Sequence, residues 1–159
     1  MIQPIGPTPT PEIALLGALV YTENINTTTI LEQVHTLDLD ETGAAACLEA
    51  ISHLAHQGHD HGPVAIADHL GRLGKLTEPA RKALLDATTA GSEPLAVRQL
   101  AAAVVAASLR RRFESAGKAL VEGASVAPEH DLVPLVRSIG TAIVKHADRL
   151  RVLRGEVSA

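Results

Sequence analysis

The stretch that decides the fold is Asp131-Leu132-Val133-Pro134-Leu135-Val136-Arg137-Ser138-Ile139-Gly140-Thr141-Ala142-Ile143-Val144-Lys145-His146-Ala147-Asp148-Arg149-Leu150-Arg151-Val152-Leu153. Apolar residues recur in it every seven positions, with Val136, Ile143 and Leu150 in one row and Leu132, Ile139, His146 and Leu153 in another. That period belongs to a helix whose apolar seam faces a partner helix. Asp131 can cap it, and Pro134 is tolerated in a first turn. Immediately upstream, Gly123 to Pro128 reads as a break. Before the break, Leu95 to about Glu122 reads as one helix of roughly 42 Å at about 1.5 Å per residue. Its stripe is Ala101 or Ala102, Val105, Leu109, Phe113, Ala116 and Leu120. Two long amphipathic helices joined by a short break make an antiparallel hairpin with more apolar surface than one partner face covers, which predicts dimerisation. The expected interface is Leu132, Val136, Ile139, Ile143, His146 and Leu150, with Leu109 and Phe113 from the first arm.

Upstream of the hairpin the chain reads as short helices. Thr10 is a good N-cap, Pro11 suits the first helical position, and Glu12 sits where the helix dipole favours an acid. A second helix is expected from Thr27 or Thr28 to Leu37. A third runs from about Asp40 to Gln57, with Ala44, Cys47, Leu48, Ile51, Leu54 and Ala55 as its stripe and Gly58 at its end. Pro63 and Thr77 open two more. The expected organisation is all-α: an extended proline-containing lead (1–10), a helical head (11–91), the hairpin (92–154) and a short tail (155–159).

Composition sharpens this. Aromatics are 1% of 159 residues, so the core must be Leu, Ile, Val and Ala, which favours helices over strands. It also argues against a single-strand nucleic-acid site built on stacking platforms. The only cysteine, Cys47, cannot form an internal disulfide and reads as a small hydrophobe. With neither a secretory signal nor a membrane-length apolar run, a cytoplasmic protein is expected. The net charge of −4 hides a division: all 14 Lys and Arg residues follow Leu70, and the first 70 residues carry acids alone. The two halves should attract, either within one chain or between the head of one subunit and the arm of another.

The candidate sites are few. His53, His56, His59 and His61 are weak metal candidates: the first two share a helix face and the others follow on a turn, but no cysteine accompanies them. Their alternative is a titratable polar surface. Arg110, Arg111 and Arg112 fan around a helix, Arg110 joining a charge ladder with Glu114 and Lys118. Arg111 and Arg112 are the candidates for a partner or a phosphate. The nearest P-loop lookalike, Gly71 to Thr77, has two residues between its glycines instead of four, so ATP hydrolysis is not expected and no cofactor is implied.

Several strings, in order, resemble the N-terminal domain of DnaB-type replicative helicases. Pro11-Glu12-Ile13-Ala14-Leu15-Leu16-Gly17-Ala18-Leu19-Val20 is similar to that family's first helix, and Leu48 to Gly58 to its third. Val64 to Leu70 with Gly74-Lys75-Leu76 resembles the next, and Ser108-Leu109-Arg110-Arg111-Arg112-Phe113 falls where the family's long helix carries a basic run. Gly43, Ala44 and Ala45 depart from the pattern, standing where the family has aromatic residues. The resemblance implies a non-catalytic oligomerisation and docking module of DNA replication, without the motor, that pairs with itself and with a replicative helicase or primase. The competing readings are a DNA-binding regulator using the basic hairpin and a histidine-based metal-binding protein.

Overall fold

The computed structural model describes residues 8–156, and within them every regular element is a helix. The proline lead and the tail lie largely outside that range. Helix α1 (Pro11–Leu19) starts on Thr10, whose hydroxyl accepts the Ile13 N–H. It is the most buried helix, with Leu15, Leu16 and Leu19 inaccessible, so it has no polar side to speak of. Of helices α2 (Asn24–Leu31), α3 (Thr42–His56), α4 (Pro63–Arg72) and α5 (Glu78–Thr89), α3 and α5 pack directly on it, and α2 and α4 pack on α3. Two long helices, α6 (Val97–Val126) and α7 (Glu129–Leu153), form the antiparallel hairpin. The first turns of α6 belong to the head's core through Val97, Ala101, Val104 and Val105.

Close packing in the head depends on two glycines. A Cβ on Gly43 of α3 would stand 2.2 Å from the Pro79 carbonyl oxygen, and one on Gly17 of α1 would stand 2.6 Å from that of Ala87. Both helices therefore lie against α5 at backbone distance, which no larger residue permits.

Four sequence boundaries move. The second helix begins at Asn24 rather than at a threonine and stops at Leu31; the segment to Leu37 is not a continuous helix, and a 3-10 turn occupies Thr36–Asp38. Thr28 and Thr29 are inside α2, their hydroxyls donating to the Ile25 carbonyl at 3.0 and 2.9 Å. Gly123 does not break α6, which runs on to Val126. A Cβ there would meet Leu135 Cδ2 at 2.8 Å, so this glycine serves the approach of α7 rather than a stop. Only Ala127 and Pro128 join the arms, and α7 starts at Glu129 instead of Asp131.

Candidate docking surface of the hairpin

The hairpin meets the head through a polar knot centred on Asp38, which is 1% exposed. The turn at Thr36–Asp38 points its carboxylate inward, where Oδ2 accepts the His35 N–H at 2.8 Å and Oδ1 accepts the Ser108 hydroxyl at 2.9 Å. Arg149 of α7 closes the knot as a fork, donating to Oδ2 at 2.6 Å and to Oδ1 at 3.0 Å, and also to the Gln33 carbonyl at 2.7 Å. Such a bidentate pair is strong and fixes orientation. Burial pushes the Asp38 carboxyl up, but the bonds and charge of Arg149, with His35 and Ser108, outweigh burial and hold it below the usual value.

His146 completes the arrangement. Its Nε2 lies 3.0 Å from the Val105 carbonyl, so Nε2 carries the proton and donates, leaving Nδ1 to accept from Arg149 Nη2 at 3.0 Å. Desolvation and the neighbouring guanidinium depress its pKa, against the pull of the Val105 carbonyl and Asp38. The imidazole is therefore kept neutral.

These contacts correct part of the expected interface. His146 is 2% exposed and Leu150 is 7% exposed within a single chain, so neither offers a face to a partner. Arg111 is half-buried and turned toward its own chain, its Nη2 donating to the Asp38 backbone carbonyl at 2.6 Å. Arg112 remains exposed. Arg110 takes no part in the expected ladder, where Lys118 pairs with Glu114 alone.

The outer hairpin is different. From Phe113 to Lys145 the one buried residue is Gly123. Leu132, Ile139 and Ile143 are half-buried along the seam, while Val136 is 55% exposed and Phe113 56%. At about 100° per residue, Leu132, Val133, Val136, Gly140, Ile143, Val144 and Ala147 occupy one arc of about 120° on α7, whose charges stand only at its two ends, Glu129 at the outer and Arg151 at the inner. Phe113, Gly117, Leu120 and Ala124 stand on the corresponding flank of α6. Ser108, Arg111 and Arg149 project from the opposite side, toward the head, so the apolar flank is left uncovered. At its root, Ala106, Leu109, Arg110, Phe113, Leu150 and Arg154 line a groove of about 440 Å³.

The four candidate histidines are not brought to one point. His61 turns inward, with Nε2 at 3.0 Å from the Leu19 carbonyl and 3.2 Å from the Thr27 hydroxyl. His56 Nδ1 donates to the Ser52 carbonyl at 2.7 Å, and His59 lies exposed. His53 stacks on His69, ring centroids 4.8 Å apart, a neighbour that the sequence spacing did not single out. Among the described residues no three His, Cys, Asp or Glu side chains are placed to hold a metal ion. Cys47 is buried against the Ala80 carbonyl, and burial pushes its thiol up to about 11. The Gly71 to Thr77 segment is a helix end and loop, its Lys75 paired with Glu49 at 3.3 Å. No helix of the described residues is long and apolar enough to cross a membrane.

Sequence reasoning missed Asp38 as the centre of the knot. Its one legible signal was a lone acid between Leu37 and Leu39, where a solvent-facing side chain is the usual outcome.

No protein-family model matches the chain, and no curated protein does. Among solved structures, the N-terminal domain of DnaB helicase from Mycobacterium tuberculosis matches with a TM-score of 0.71 at 21% identity, covering 88% of this chain and 99% of that one. The similarity thus runs over the head and the hairpin alike, and the chain has the all-helical fold of that helicase N-terminal domain.

Proposed function

We propose that this chain is a non-catalytic self-association and docking module of DNA replication, pairing with itself through the outer hairpin and with a replicative helicase or primase. The observation that carries the reading is the flank of α7 between Leu132 and Ala147, which holds no charged residue and stays largely uncovered in a single chain although it has the composition of a helix–helix interface. The likeness in fold to a helicase N-terminal domain supports the replication context. Within this reading Leu132, Val136, Ile139 and Ile143 supply the self-association face, with Phe113 at its inner end. Arg112 remains as a partner contact. The DNA-binding alternative is weakened by the inward turn of Arg111 and Arg149, which engages two of the hairpin's basic groups with Asp38 of their own chain.

Size-exclusion chromatography with light scattering tests the proposal. A dimer or larger species is expected at micromolar concentration, converted to monomer by Val136→Asp. A chain that stays monomeric at high micromolar concentration and binds neither helicase nor primase defeats it.

A further inference from the structure

The head carries an open groove of about 810 Å³ between the Thr36–Asp38 turn, the first turns of α3 and the loop from α4 to α5. Leu39, Ala45, Ala46 and Pro79 line it together with Leu37, whose side chain is 82% exposed. Ala45 and Ala46 are short, and their brevity makes the room. Among the described residues its charged lining is Asp40, Glu49 and Lys75, and the last two pair with each other at 3.3 Å. None of these described lining residues comes from α6 or α7, so the groove is a surface separate from the outer flank of the hairpin.

The start of α1 is fixed beside this groove. Glu12 is buried and accepts the Asp40 and Glu41 N–H groups at 2.7 and 3.1 Å, while the Thr10 hydroxyl donates to Glu41 Oε1 at 3.4 Å. Asp40 and Thr42 belong to the lining, so the chain ahead of Thr10 departs from the groove's rim. That stretch is Met1-Ile2-Gln3-Pro4-Ile5-Gly6-Pro7-Thr8-Pro9, which has apolar side chains at Met1, Ile2 and Ile5 and no charged one.

We infer that this proline-containing lead docks in the groove of its own head, with Ile2 and Ile5 against the alanines of α3. Prolines favour the polyproline II conformation, in which residues three apart share a face about 9 Å apart. Ile2 and Ile5 have that spacing. The wall from Thr42 to Glu49 is about 10 Å long at about 1.5 Å per residue, which accommodates both. Extended, the stretch ahead of Thr10 reaches at most about 30 Å, enough to run the length of that wall. Fixed φ angles at the prolines lower the entropy lost on docking. The Thr36 and Thr42 hydroxyls of the lining answer a backbone that polyproline II leaves without internal hydrogen bonds.

Other occupants fit less well. The lead of a second copy competes against one tethered at the rim, whose effective concentration is on the order of millimolar. Nucleic-acid phosphates meet Asp40 and Glu49, and the lining lysine is already paired.

A spin label on Gln3→Cys of the full chain tests the inference, because Cys47 is buried and does not compete. The backbone amide signals of Leu37, Ala46 and Lys75 should broaden beyond detection, while that of Ala124 near the hairpin's tip stays sharp. Ile2→Asp with Ile5→Asp should restore the lost signals. Ala46→Glu, which fills the groove from the opposite side, should restore those of Leu37 and Lys75 in a chain whose circular dichroism is unchanged. Broadening spread evenly over the head, or surviving both sets of variants, overturns the inference. Isotope-labelled chain without the spin label is then mixed with unlabelled chain that carries it, and its groove signals should stay sharp. Groove broadening in that mixture assigns the groove to the lead of a second copy and rejects docking within one chain. Sharp groove signals in both samples leave the groove to another protein and reject it too. Neither result touches the self-association reading, which light scattering decides separately.

Discussion

Two stretches of α7 share one apolar rhythm and end in opposite environments. At the root, His146, Leu150 and Leu153 are enclosed between α6 and the head. Farther out, Leu132, Val136, Ile139 and Ile143 continue the same rows with only α6 beside them, and none is buried. The difference lies in what else reaches the helix. The head covers only the root, and there the covering is bolted by Arg149 to Asp38; beyond it the seam has one partner where the pattern provides surface for two. A heptad pattern thus reports that a helix has an apolar stripe and leaves open whether the same chain or another covers it.

Breaking the root should cost most. Asp38→Ala leaves the Arg149 guanidinium, only partly exposed, without its carboxylate and strips Ser108 and the His35 N–H of their acceptor, so a loss of roughly 3 kcal/mol is expected, measured by urea unfolding. The same substitution should leave the outer flank's self-association intact at concentrations where the chain is folded. Gly43→Ala in the head comes next, at roughly 1–3 kcal/mol, because the added carbon must push α3 off the Pro79 carbonyl.

Val136→Asp sharpens the contrast from the other side. Within one chain its side chain faces solvent, so the unfolding free energy of the monomer should change by no more than about 0.5 kcal/mol while the dimer is lost. The pairing of a silent stability change with a large change in assembly distinguishes an interface position from a core one. An equal loss of monomer stability would mean that the flank is covered within its own chain.

The smallest expected effect is on pH dependence. The pKa of His146 is lower in the folded chain than its ordinary 6.5, so the unfolded chain binds the extra proton first. Its contribution is fully present above about pH 6.5 and declines as the pH falls through that value toward the folded pKa. Asp38 is also depressed, so its contribution is present above the ordinary carboxylate value of 3.8 and lost as the pH falls through its lower folded value. Stability should therefore be flat near neutrality and fall in two stages on acidification. His69 is depressed too, by desolvation and by His53 and Arg72, so His146→Gln should reduce the upper stage and leave the lower one unchanged, as read by unfolding midpoints across pH.

The legibility of the molecule follows the range of the interactions involved. The starts of α1 and α5 were readable because Thr10 and Thr77 satisfy donors only three residues away. The hairpin was readable because its period is local to each arm. Gly123 was misread as a stop because its role depends on Leu135, on the other arm. The candidate interface was half legible: its rows were found, but their division into covered and uncovered lengths was not.

The residues in order were enough to establish an all-helical chain, two long arms folded against each other, an acidic first half and a basic second half, since these depend on periodicity, capping and composition. Which arginine answers which acid was decided only in three dimensions. Asp38 and Arg149 are far apart in the chain, and a pairing at that separation is set by how the head's turn seats against α6 and α7. The same seating covers the root and leaves the outer flank bare, because the head reaches only one end of the hairpin.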